Sequence, residues 1–230
     1  MRLSSLCVLL AGVVLARAAS AQDGGGVDAV LDRATAAYAH VTVTHATFEQ
    51  VVTNEVTGTS VQSRGDLVQQ RPNKLSVRFT EPAGDRIVAD GTWLWVYVPS
   101  ATPGQVIKMP GSGPGASAVD FVQQFLDAPR THFTVAAGTA DTSLGHKAHT
   151  LTLVPKDQSS SIANATVWID DDDGVIRQFQ VTDGTGSTRR VRLTKVAFNV
   201  PVDHGTFTFK LPDGVKVIDK QQMMSGAGGT

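Results

Sequence analysis

The residues best suited to chemistry in this chain of 230 residues are few, and most of their spacings do not fit a reaction. Asp170-Asp171-Asp172-Asp173-Gly174 sets four carboxylates in a row and invites a calcium loop. An EF-hand loop needs oxygen donors at alternate positions, glycine at the sixth and glutamate at the twelfth. Counted from Asp170, Gly174 is fifth and the twelfth residue is Val181, so the segment reads as a solvated hairpin turn. His146 and His149 stand three apart, and His40 and His45 five apart, without the helix or acidic neighbour that would make either pair a metal site. The Pro110 to Gly115 loop lacks the Gly-Lys-Ser/Thr ending of a phosphate-binding loop. No Gly-x-Ser-x-Gly elbow occurs, and no spacing marks a Ser-His-Asp triad. The expectation is a non-enzyme with no catalytic residue, no cofactor and no metal.

Arg71-Pro72-Asn73 is the remaining candidate. It sits between two strand-like runs. Proline fixes its own backbone and asparagine tolerates unusual dihedrals, so the tripeptide reads as a turn. The alternative is that the Arg71 guanidinium reaches out to hold helix-end or loop carbonyls through its fork of donors. The residues alone leave both open.

The ends of the chain come before the elements that would position Arg71. Arg2, the apolar run Leu3 to Leu15 and the small residues Ala19-Ser20-Ala21 form a signal peptide over residues 1–21, cleaved before Gln22. Cleavage removes Cys7, the sole cysteine, and leaves no thiol for a disulfide, a metal or a nucleophile. It also removes Arg2 and Arg17, leaving 18 basic against 21 acidic residues. A nucleic-acid binder would show a basic excess. No later run has the length of a membrane-spanning helix. The expectation is an exported, soluble chain, with one domain over residues 22–220 and a polar, glycine-rich disordered tail over 221–230.

Within that domain Val27, Val30, Leu31, Ala34, Tyr38 and Val41 recur at helical spacing, until β-branched residues take over near Thr42. A second helix is expected from about Ala116 to Asp127, with Val119, Val122, Phe125 and Leu126 as its stripe and Pro129 as its stop. The rest is strand. Leu75, Val77 and Phe79 alternate with Ser76 and Arg78. Asp90-Gly91 signals a tight hairpin. After it Trp93, Trp95 and Tyr97 share one face and Leu94, Val96 and Val98 the other, as in a central strand covered on both sides. In all, ten or eleven strands and two helices are expected, with Phe207-Thr208-Phe209 ending the regular part. An antiparallel sheet of that size curls, and two helices would cover its concave face. The fold class is mainly β (α+β), built around an apolar cavity.

Several segments in order resemble the periplasmic lipoprotein carrier family LolA: Phe48-Glu49-Gln50, Gly65-Asp66-Leu67, Arg71-Pro72-Asn73, Glu81-Pro82, Asp90-Gly91, Leu94-Trp95-x-Tyr97, Ile176-x-Gln178-Phe179 and Phe207-x-Phe209-x-x-Pro212-x-Gly214-Val215. The resemblance runs from about Val27 to Asp219. It departs from the family after the Arg-Pro-Asn motif, where Leu75 and Val77 replace the usual aromatics, and across the Gly- and Pro-rich Pro99 to Gly115 region. The resemblance implies an incomplete antiparallel β-barrel closed by a helical lid. It implies a cavity for acyl chains, here lined by Phe48, Leu67, Leu75, Val77, Phe79, Trp93, Trp95, Val122, Phe125, Leu126 and Phe179. Arg71, matching the family's motif arginine, would hold the lid and permit release.

The partners so implied are acylated lipoproteins, an inner-membrane ABC-type release complex and an outer-membrane receptor lipoprotein. The protein would be a monomeric periplasmic carrier delivering lipoproteins from the inner to the outer membrane. A second reading is a lipid- or lipoprotein-sensing regulator of the same fold that binds an anti-sigma factor. Such regulators carry a further C-terminal domain, and the short stretch after Asp219 favours the carrier. A third, a periplasmic hydrolase, lacks a visible nucleophile or metal set.

Overall fold

The computed structural model describes residues 26–111 and 121–220. The expected signal peptide 1–21, the start of the second helix at 116–120 and the tail 221–230 lie outside the described residues.

Among the described residues three helices are present: α1 (Val27–Tyr38), α2 (Phe121–Leu126) and α3 (Pro129–His132). α2 ends at Leu126, short of Pro129, in line with the stop expected there. Pro129 itself opens α3, where a proline costs no intrahelical hydrogen bond. The strands are β1 (Val43–Asn54), β2 (Thr59–Gln70), β3 (Lys74–Glu81), β4 (Arg86–Asp90), β5 (Trp93–Tyr97), β6 (Gln105–Pro110), β7 (Phe133–Asp141), β8 (Ala148–Pro155), β9 (Ile162–Asp170), β10 (Ile176–Asp183), β11 (Thr188–Phe198) and β12 (Lys216–Asp219).

All twelve strands form one sheet, in the order β12-β6-β5-β4-β3-β2-β1-β11-β10-β9-β8-β7. The sheet is mainly β with few helices, as expected, and it does not close: β7 and β12 are its two ends. The expected strand count falls one short because of β12. That strand pairs parallel to β6 over four residues. A parallel partner needs no hairpin, so no local turn signal announces it. Phe207 and Phe209, expected to end the regular part, lie instead in the long loop before β12.

Register sorts the side chains onto two faces, because directly opposed residues of neighbouring antiparallel strands point the same way. One row runs Ala46, Leu67, Val77, Ile87, Val96 and Ile107 across β1 to β6. This face carries α1 and α2 and is called the helix face below. The other, carrying Trp93, Trp95 and Tyr97, is crossed by the loop over 199–215 and is called the loop face.

Gly65 shows why one motif position is small. It stands opposite Phe48 on one side and Phe79 on the other, and the two rings meet edge to face at 5.4 Å between centroids. A Cβ built on Gly65 would lie 2.1 Å from the Arg78 carbonyl oxygen, a backbone atom that cannot swing aside. Gly65→Ala is therefore expected to destabilise the chain by about 2 kcal/mol or more, read as a lowered denaturant midpoint with unchanged slope.

Candidate functional site

The helix face is where apolar surface concentrates. From α1, Val30, Leu31, Ala34 and Tyr38 face the sheet and are at most 4% exposed. Their spacing puts them on one side of the helix. They pack with Phe48 of β1, Leu151 and Leu153 of β8, Val167 and Ile169 of β9 and Phe179 of β10. From α2, Phe125 and Leu126 join the same cluster, with the Phe125 ring 6.2 Å from those of Phe133 and Phe179. The volume that the sequence reading assigned to a hollow is thus filled, among the described residues, by the side chains of α1 and α2.

Of the residues expected to line a cavity, Phe48, Leu67, Leu75, Val77, Phe79, Val122, Phe125, Leu126 and Phe179 all stand on this face. Leu75 belongs to a smaller cluster with Ala89 and Leu94, joined to the main one through Val77. Trp93 and Trp95 do not join them. Trp95 opposes Val88, the neighbour of Ala89, and so points to the loop face. There it stacks on Phe209 with centroids 5.2 Å apart and donates its indole N–H to Asp90 at 3.0 Å. Lys108 Nζ sits 3.6 Å from the Trp93 ring centroid and 3.2 Å from Asp219. The correction follows from the period of two: Leu94 and Trp95 cannot share a face. Two pockets, of about 740 and 880 Å³, flank the loop on this side, the first lined by Trp95, Phe207 and Phe209 and the second by His45, Asp66 and Arg78.

Arg71 is placed where a guanidinium can act on α1. The helix has no basic residue in its last turn, so its C-terminal carbonyls carry uncompensated partial negative charge. Arg71, from the turn between β2 and β3, donates from Nη1 to the Tyr38 carbonyl at 3.3 Å. Its own amide bonds the Thr42 carbonyl at 2.9 Å. The two readings of Arg71-Pro72-Asn73, turn and reaching guanidinium, are both realised.

Sequence reasoning missed the partner of Arg71 in this corner, Asn199. The Asn199 Oδ1 accepts from the Thr42 amide at 2.9 Å, the Thr42 hydroxyl at 3.1 Å and the Val43 amide at 3.2 Å, while Nδ2 donates to the His40 carbonyl at 3.0 Å. Its φ of 54° lies in the left-handed region, which asparagine tolerates better than most residues. An asparagine ending a strand two places before a proline is a turn signal, the one hint in the sequence. The connector between α1 and β1 is thereby held from both sides, by Arg71 and by Asn199. The Tyr38 hydroxyl adds a buried tie, accepting from the Ile176 amide at 3.3 Å, and burial pushes its pKa up.

Ion pairs hold the rest of α1. Arg130 of α3 pairs with Asp28 and, at 4.0 Å, with Asp32. Arg33 reaches Asp171 at 3.4 Å. Asp171 also receives Lys147 at 3.6 Å and the Nδ1 of His149. The aspartate run is thus more than the solvated turn expected. Asp170 is 1% exposed, held by Arg177 at 3.0 Å, His146 at 3.2 Å and the Asp172 amide at 2.9 Å. Burial disfavours its charge, but the Asp172 amide and the Arg177 guanidinium outweigh burial and hold the carboxyl below its ordinary value. The histidines that looked scattered find acids through space, yet among the described residues no group of three or more His, Cys, Asp or Glu is arranged for a metal. No described helix is long and apolar enough to cross a membrane.

Comparison with known proteins places this geometry. The family model described as "Outer membrane lipoprotein carrier protein LolA" matches residues 39–110 and 131–210. The outer-membrane lipoprotein carrier protein of Pasteurella multocida is 30% identical over 182 residues, covering 79% of this chain and 83% of that one. That of Sodalis glossinidius is 28% identical over 226 residues, covering 96% and 98%. Among solved structures, an uncharacterized conserved protein from Thermus thermophilus shares the fold at a TM-score of 0.52 and 12% identity, covering 84% of this chain and 98% of that one.

Two outcomes follow from these ties. Asn199→Gly keeps the left-handed backbone but deletes the side chain. It should cost about 1 kcal/mol globally and speed hydrogen exchange at the Thr42 and Val43 amides far more than in the core strands. Because the folded pKa of Asp170 is depressed, its stabilisation is complete above the ordinary value of 3.8 and fades as pH falls through the folded value. Asp170→Asn should cost about 3 kcal/mol at neutral pH and flatten the acid limb of a stability-versus-pH curve.

Proposed function

The chain belongs to the LolA family of outer-membrane lipoprotein carrier proteins, and from that premise we propose that it is a periplasmic carrier that shields the acyl chains of lipoproteins on their way from the inner to the outer membrane. In this reading it takes cargo from an inner-membrane ABC-type release complex and yields it to an outer-membrane receptor lipoprotein. It is a chaperone in mode of action, with no catalytic step. The observation that carries the reading is the helix face: two short helices cover a broad apolar sheet, and directional hydrogen bonds gather at the end of the first.

The proposed cavity is opened, not permanent. α1 is the lid, and acyl chains take the place of its buried side chains. Freeing Val30, Leu31 and Tyr38 from the sheet costs on the order of 6 kcal/mol. A palmitoyl chain laid on the same face returns about 0.8 kcal/mol per methylene, about 12 kcal/mol in all. Cargo therefore offsets opening with a margin, and a triacylated lipoprotein with about 45 methylenes does so amply. The margin must not be too large, because cargo has to leave again. The bond from Arg71 to the Tyr38 carbonyl is present only when α1 is seated, so it favours the empty, closed form and subtracts from net cargo affinity.

Arg71→Leu removes that subtraction. The variant should load from the inner membrane at least as well as the parent and lose about tenfold in transfer to outer membranes, with Arg71→Lys in between. The check is a spheroplast release and transfer assay with a labelled lipoprotein. Transfer by Arg71→Leu at the parental rate would remove Arg71 from the mechanism. Failure of the parent to solubilise any lipoprotein would remove the carrier reading itself.

A further inference from the structure

At the end of the helix face farthest from Asn199, one row of side chains crosses the sheet from packed core to open rim. Val135, Leu153, Ala165 and Val181 lead into it from β7 to β10, and Val52 and Val61 complete it on β1 and β2. Leu153 and Ala165 are fully buried, Val52 and Val181 are half-buried, and Val61 is 64% exposed. A single charged residue interrupts these apolar side chains. Arg189 of β11 stands between Val181 and Val52.

The other arginines of this region have partners. Arg190 donates to Gln180 at 2.8 Å, Arg192 to the Leu144 carbonyl at 3.3 Å and Arg177 to Asp170 at 3.0 Å. Both Arg190 and Arg192 point to the loop face, one residue out of phase with Arg189. Arg189 makes no ion pair and no side-chain hydrogen bond among the described residues. Its surface is open to solvent, yet surrounding protein displaces enough water to pull its pKa down, and no neighbouring charge pulls it back. A guanidinium seated on valines with its donors unused loses hydration without compensation, unless an anion meets it. The anion must tolerate an apolar floor on one side and water on the other. An oxyanion at the end of a hydrocarbon chain does so: the chain lies on the valines and the core row behind them, and two oxygens meet the planar fork.

We propose that Arg189 and the valine rim of β1, β2 and β10 form a headgroup site that binds the phosphate of an acyl lipid whose chain lies along the helix face. The site rests on the acyl-chain reading above and adds a specificity that reading lacks. Apolar surface alone ranks ligands by chain length, whereas Arg189 would rank chains of equal length by the charge at their end. It lies at the opposite end of the face from Arg71, so a lipid bound there meets the edge of the sheet away from the connector that holds α1.

The test uses the whole mature chain and two probes that differ only in the phosphate, a lysophosphatidic acid and the monoacylglycerol of the same chain length. Titration calorimetry should show the parent binding the phosphorylated probe about tenfold more tightly. Arg189→Gln should bind both probes equally, at the affinity the parent has for monoacylglycerol, and Arg189→Lys should keep part of the preference. Unchanged unfolding midpoints would show that the variants are folded. A preference that survives in Arg189→Gln overturns the site. So does inorganic phosphate displacing the lipid at matching concentration, which would mark a free-anion site. Monoacylglycerol binding with no phosphate preference overturns the site and leaves the carrier reading standing. Binding of neither probe overturns both.

Discussion

The structure depends on one constraint: a twelve-stranded sheet has two broad faces, and both must be kept from water by a chain too short to supply a second sheet. The helix face is covered by α1 and α2, the loop face by the segment after β11. Because β7 and β12 leave the sheet open, neither cover is locked in by closure of a barrel. Each must be fastened separately, and the two fastenings differ in kind. Non-directional packing holds α1 along its length, with ion pairs that salt screens toward its start. Directional hydrogen bonds hold its end.

That asymmetry gives α1 a preferred way to move. The connector from His40 to Val43 is bonded by Asn199 and Arg71, which come from opposite flanks of β1. Apolar side chains can slide off a greasy face with little penalty if other hydrocarbon replaces them, whereas hydrogen bonds must be broken outright. Under the carrier reading, hydrocarbon entering from the α3 end displaces Val30 and Leu31 while the connector stays bonded. In that reading a helix so fastened lifts from its start, parting the Arg130 and Arg33 ion pairs first, and pivots about its end, where the Arg71 bond to Tyr38 parts last.

What the sequence made legible follows from which signals are local. The helical period of Val27 to Tyr38 and the alternation of Leu75, Val77 and Phe79 are carried by neighbours in sequence, and both elements appear where the pattern puts them. The Asp90-Gly91 turn is likewise a two-residue matter. β12 escaped because a parallel edge strand of four residues is specified by β6, more than a hundred residues earlier. Asn199 escaped for the same reason: its partners at 40, 42 and 43 are far off in sequence, and nothing beside it reports them. The aspartate run was legible as a turn, but its coupling to Arg33, 138 residues away, is tertiary. The expected hollow shows a different limit. Apolar residues facing one another across a sheet and a helix look alike in sequence whether they enclose space or fill it, and among the described residues Leu31 and Phe125 pack into one cluster with the sheet.

The misplacement of Trp93 and Trp95 is instructive about what each face is for. The family resemblance makes them candidates for a cargo surface, but their rings are already engaged within the chain. The Trp95 indole N–H is taken by Asp90, its ring by Phe209, and the Trp93 ring by Lys108, which is itself neutralised by Asp219. The Trp93, Trp95 and Tyr97 rings are each engaged within the chain, as in a surface that holds its own loop. The helix face is the reverse. Tyr38 and Arg189 apart, the residues singled out on it are aliphatic or phenylalanine, without donors to satisfy, so exchanging one hydrocarbon neighbour for another there leaves no orphaned polar atom behind. In the carrier reading the surface releases its covering helix to a transient guest, and so cannot rest on hydrogen bonds at every contact. It can rest on them at one hinge, and there the chain has concentrated them.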